Sequence, residues 1–120
     1  MKEECLMNTA VFKNLPVAQA VELPSLVANR DGEIVSRTLA QNPHGNVTLF
    51  AFAAGEAIST HASHGDALIT VLSGSARITV GETTQDVPAG SSILMPANVP
   101  HAVEAVEDFK MILLVLFPEE

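Results

Sequence analysis

From Val47 to the C-terminus, apolar and polar positions alternate in short runs with turn residues between most of them. Ala76-Arg77-Ile78-Thr79-Val80 keeps a strict period of two, as a strand with one wet face does. Comparable runs cover 47–53, 68–72, 83–87, 91–95, 102–106 and 109–117. Upstream, Asn29-Arg30-Asp31-Gly32 signals a turn and the β-branched stretch 33–40 after it reads as a further strand. Residues 42–46, with Pro43 and Gly45, turn the chain again and place His44 in a solvated loop. Between Val11 and Val27, Pro16 and Pro24 break the apolar pattern, which predicts extended segments with one helical turn. Residues 1–10 read as a leader and 11–120 as a single domain.

Seven to nine short strands with almost no helix predict an all-β fold, a mostly antiparallel sandwich or barrel. Two runs are apolar on both faces, Val47 to Phe52 and Phe109 to Phe117. Such strands are covered on both sides within the domain or bury one face against another subunit.

Charge narrows the partners. Fourteen acids against six bases give a formal charge of −8, which repels a phosphate backbone, so nucleic acid is not expected as a partner. Four of the acids (Glu3, Glu4, Glu119, Glu120) sit at the chain ends and leave the body only mildly acidic. Cys5 has no second cysteine to pair with, which fits a reducing compartment. No basic segment leads into an apolar stretch at the N-terminus, and the longest apolar run, 111–117, is far below the ~20 residues of a spanning helix. The expectation is a cytoplasmic protein with no membrane partner. Nucleophile-elbow, phosphate-loop, dinucleotide and paired-cysteine motifs are absent from the sequence.

Chemistry gathers between Gly55 and His101, where three of the four histidines lie. Imidazoles converging from separate strands can chelate Zn, Fe, Ni or Cu. Gly55, His61 and Gly74, followed by Gly90, Pro96 and His101, fall on the frame of the two motifs of the cupin superfamily, and "MPANVPHAV" resembles small single-domain cupins. The first motif has a second histidine and a glutamate where this chain has Ser63 and Ala67. The second has Gly and Asn where this chain has Asn98 and Ala105. The resemblance implies a double-stranded β-helix of jelly-roll type with a degenerate metal motif. It further implies that His61 and His101 face the barrel interior and hold a divalent ion (Zn, Fe, Ni or Mn), with core histidines as the alternative.

His64 stands one residue off the ligand register, so a regular strand would turn it outward. A bulge or loop at 63–66 would make it the third ligand, and otherwise it is a rim residue. Asp66 has three open uses: completing a two-His, one-carboxylate set, orienting an imidazole, or capping the turn. Ser63 is expected to face the cavity, beside Ala67 and a wall of Ile69, Val71, Ile93 and Met95, a lining suited to a small-molecule ligand. Arg77 reads as a surface residue.

Three functions fit these residues. One is a metalloenzyme acting on a small anionic metabolite, dioxygenase-like. The second is a metal-free binding or sensing barrel, and the third an isomerase or epimerase using a histidine with Asp66. The resemblance, with the two-sided strand at 109–117, also predicts a homodimer.

Overall fold

Each alternating run becomes a strand because that conformation puts its apolar row on a shared core while the ladder pairs its backbone. The computed structural model describes residues 9–119. Cys5, Glu3, Glu4, Glu120 and the first eight residues of the predicted leader lie outside them. The strands are β1 (Ile34–Asn42), β2 (Gly45–Phe52), β3 (Ala57–His61), β4 (Asp66–Ser73), β5 (Ser75–Val80), β6 (Thr83–Pro88), β7 (Ser92–Met95), β8 (His101–Glu104) and β9 (Phe109–Leu116). They form a five-stranded sheet in the order β1-β2-β9-β4-β7 and a four-stranded sheet in the order β3-β8-β5-β6. Every pairing is antiparallel. The all-β jelly-roll expectation therefore holds.

The inward rows of the two sheets make one core. Ile69, Val71, Met95 and Met111 from the five-stranded sheet meet Ala76, Ile78, Val87 and Val103 from the four-stranded one. Phe52 and Phe109 stack with centroids 4.7 Å apart. Burying each such ring contributes roughly 1.5–3 kcal/mol. The chain crosses between sheets at Gly74, where φ is +74° and a Cβ would collide with the Asp108 carbonyl oxygen. Only glycine suits both conditions.

A second, smaller core explains half of the two-sided pattern. Residues 15–27 lie across the outer face of the five-stranded sheet, where Leu15, Leu23, Leu26 and Val27 pack on Leu39, Leu49, Ala51 and Ile112. The predicted helical turn is a 3-10 turn, Leu23–Leu26, with Pro24 at its start. Polar clasps fix this strap: Asn29 Nδ2 donates to the Phe52 carbonyl (2.9 Å) and Lys110 Nζ to the Pro24 carbonyl (2.8 Å). Among the described residues no helix is long and apolar enough to cross a membrane.

Candidate functional site

His61 ends β3, the edge strand of the four-stranded sheet, and His101 opens β8, its neighbour. Ile58 pairs with Val103 and His61 with His101, so three steps along β3 match two along β8. That mismatch is a bulge, and it re-aims His61. Ile58 packs against the core. In an unbroken ladder Thr60 would share its face and His61 would point away. His101 needs no such correction, since it stands two residues from the buried Val103 and is itself only 5% exposed. His61 is exposed, so the pair stands at the boundary between core and solvent.

The rings are held alike. His61 Nδ1 lies 3.0 Å from the Ser59 carbonyl oxygen and His101 Nδ1 3.2 Å from that of Val99. A carbonyl only accepts, so each Nδ1 carries its ring proton, and in the neutral form each Nε2 presents a lone pair. Those two Nε2 atoms approach to 3.2 Å with the rings at 72°. Two lone pairs at that distance repel unless a proton or a cation lies between them. Two imidazoles on one tetrahedral ion, with bonds of about 2.0–2.1 Å, stand about 3.3 Å apart nitrogen to nitrogen. The donor pair therefore fits a divalent ion. Burial, and next the neighbouring His61, lower the pKa of His101, with the Val99 carbonyl opposing them. His101 is thus neutral at pH 7, the form that ligates metal.

The other expected participants are placed elsewhere. His64 is exposed and stacks on Phe117, with centroids 4.5 Å apart and 12° between planes. Gly65 makes room for this: a Cβ there would press on Phe117, Leu116 and Val115. The loop form that sequence required for His64 is present, yet it delivers the ring to Phe117. Asp66 Oδ1 accepts from the Ala97 N–H (2.8 Å), thirty-one residues away, and so ties the start of β4 to the loop after β7 where a local turn cap was one of the expected uses. Among the described residues no third His, Cys, Asp or Glu joins the pair in a group that could hold a metal.

Ser63 is expected to line a cavity, but its hydroxyl donates to the Gly65 carbonyl (2.9 Å) and accepts from the Gly65 N–H (3.2 Å), closing a turn. Ala67 and Met95 pair across β4 and β7 and belong to the packed core with Ile69 and Val71. They are core contacts where open walls were expected. Arg77 lies on the surface in an ion pair with Asp86 (3.2 Å), and His44 occupies the β1–β2 turn, its N–H donating to Asn42 Oδ1.

Comparison with known proteins accounts for this frame. A family model described as a cupin domain matches residues 48–117. The chain belongs to the cupin family. This cupin is 33% identical over 99 residues to an uncharacterised protein of Streptomyces coelicolor, spanning 82% of this chain and 92% of that one. Among solved structures it is similar to a protein of unknown function from Streptococcus pyogenes: TM-score 0.89, 39% identity, 93% of this chain and 98% of the other. A cupin superfamily protein from Desulfitobacterium hafniense follows with TM-score 0.86 and 34% identity, covering 91% and 100%.

Departures of this cupin from the family motifs differ in weight. Asn98, at a glycine position, has φ +67°, a conformation asparagine tolerates better than other side-chain-bearing residues, and its N–H donates to the Ser63 carbonyl (2.7 Å). The backbone role of the glycine is thereby kept. Ala105 is buried and exchanges backbone bonds with Gly55 and Glu56. Ser63 and Ala67 instead remove donors outright.

Proposed function

We propose that this cupin binds a divalent ion between His61 and His101 and uses it to hold and transform a small anionic metabolite. The observation that carries the reading is the 3.2 Å approach of two Nε2 atoms whose Nδ1 partners are both backbone carbonyls. His101 supplies a buried, neutral, fixed nitrogen, and His61 supplies the second from the solvent side. A bound ion would act as a Lewis acid on an anionic oxygen. With no carboxylate at Ala67 the site is about one charge more positive than a motif that keeps its glutamate, which favours an anion as co-ligand. Because two protein donors leave most coordination positions open, the metabolite is expected to offer two donor atoms of its own.

The test is thermal unfolding of metal-stripped protein with Zn, Fe, Ni or Mn added, alongside elemental analysis. An ion that binds the native state raises the melting temperature by mass action. His61→Ala and His101→Ala should each remove that rise. A melting temperature unmoved by all four ions overturns the proposal.

A second reading is a metal-free barrel in which one added proton bridges the two Nε2 atoms and the resulting positive charge attracts a small carboxylate. The loss of two donors at Ser63 and Ala67 favours it. It predicts carboxylate binding that survives a chelator and is lost in the same two variants.

A further inference from the structure

The β3–β8 ladder ends at the rung that pairs His61 with His101. Beyond that rung both histidines lead into loops, 62–65 toward β4 on one side and 96–100 from β7 on the other. β3 is an edge strand with four of its five positions exposed, so the ladder holds His61 from one side only. The approach of the two rings depends on what joins the loops past the last rung.

Two hydrogen bonds cross between them. The Asn98 N–H donates to the Ser63 carbonyl (2.7 Å) and the Ala97 N–H to Asp66 Oδ1 (2.8 Å). Both donors come from a turn over 96–99, in which the Val99 N–H reaches the Pro96 carbonyl (3.3 Å) and the third residue, Asn98, has φ +67°. Such a turn uses the N–H of its fourth residue and leaves those of its second and third without a partner inside it. Both find acceptors on the His61 side. These acceptors are themselves fixed: Ser63 by the two bonds of its hydroxyl to the Gly65 backbone, and Asp66 by its pairing with Leu116 at the start of β4. From the turn the chain runs directly into the Val99 carbonyl that holds His101 Nδ1, and then into the Pro100 carbonyl, which accepts from the Gly81 N–H (2.8 Å).

We propose that Asp66 is a positioning residue for the histidine pair. Its carboxylate, with the Ser63 carbonyl, clasps the 96–99 turn to the loop after His61 and so sets the separation of the two Nε2 atoms. It acts through the backbone of a distant turn, two residues ahead of the carbonyl that aims His101. Only this half of the clasp hangs on a single side chain, because the Ser63 link is backbone to backbone. The effect on ion affinity rests on the ion-binding reading of the pair, whereas the effect on ring position rests on geometry alone.

The full chain, labelled with 15N at histidine and free of metal, tests this through its imidazole resonances. Asp66→Ala should shift those of His61 and His101, and Asp66→Asn, which keeps an acceptor oxygen without the charge, should bring them back. Ala97→Pro deletes the same bond from the donor side, at a turn position that suits proline, and should reproduce Asp66→Ala. It also carries the test if Asp66→Ala does not fold. Asp108→Ala is the matched control. Asp108 Oδ1 accepts from the Ala54 N–H at the same 2.8 Å, and Asp108 is also exposed, but it lies at the opposite end of β9, about 24 Å away. Its variant should leave the imidazole resonances in place.

Zinc titration by calorimetry gives a second readout. Asp66→Ala should bind about tenfold more weakly than the native chain and Asp66→Asn about equally. Unmoved resonances in Asp66→Ala and Ala97→Pro overturn the proposal. So does an Asp66→Asn that behaves like Asp66→Ala, which would assign the effect to charge, or an Asp108→Ala that moves the rings as far. Undiminished zinc affinity in Asp66→Ala overturns it as well and leaves the ion site standing. A native chain that takes up no zinc overturns the ion-binding reading instead, and the imidazole spectra alone then decide the clasp.

Discussion

His61 and His101 share a ring geometry, each Nδ1 on the carbonyl two residues before it, but reach it from unlike backbones. His101 follows a loop stiffened by Pro96 and Pro100, starts a strand paired on both sides, and is buried. His61 closes an edge strand, arrives through a bulge, and is open to solvent. Rigid and adjustable halves in one pair suit a site that must keep one ligand fixed while admitting something from solvent. The difference also implies that the two residues should separate in stability measurements and coincide in binding ones.

The strongest way to sharpen that contrast is Ala67→Glu, which restores the family carboxylate in the packed core on β4. Without an ion, an unpaired charge in that core should lower urea stability by about 3–5 kcal/mol. A saturating divalent ion should return much of the loss if the carboxylate reaches the pair. Next in size, His101→Ala should cost about 1–3 kcal/mol through lost burial and a freed Val99 carbonyl. His61→Ala should stay within about 0.5 kcal/mol, as exposed substitutions do. Equal losses in the two variants would break the comparison. Asn98→Val should cost about 1–2 kcal/mol, because a β-branched side chain is strained at φ +67°, whereas Asn98→Gly should be neutral or better.

A pH series gives a smaller effect of definite sign. The folded-state pKa of His101 lies below its ordinary 6.5, so the unfolded chain binds the proton more readily. Stability from this residue is complete above about pH 6.5 and lost as pH falls through the depressed value. Denaturant midpoints should show that decline in the native protein and lose it in His101→Ala. The smallest effect is expected at His64→Ala. It removes one stacked ring from Phe117, about 0.5–1 kcal/mol, and leaves ion uptake unchanged.

Eight of the strands follow from alternation that sequence displays directly. The strand that carries His61 does not. Ala57-Ile58-Ser59-Thr60-His61 offers one partly buried apolar residue and four exposed positions, because an edge strand at a barrel rim has little to bury. Its bulge is equally silent, since a bulge is a mismatch of count between two strands and belongs to neither alone. The displacement of His64 has a similar cause: Gly65 signalled an unusual loop, but its partner Phe117 lies fifty-three residues away.

By itself, the chain determined the all-β class, the approximate strand positions and the two histidine positions shared with cupins. Periodicity and turn chemistry are local, and a family frame is a matter of spacing. Tertiary structure alone decided that two imidazoles meet at 3.2 Å, that the Ser63 and Asp66 side chains bond to backbone, and that a strap lies across an apolar sheet face. Each of these depends on which distant residues become neighbours, and the free energy of such contacts is absent until the sheets close.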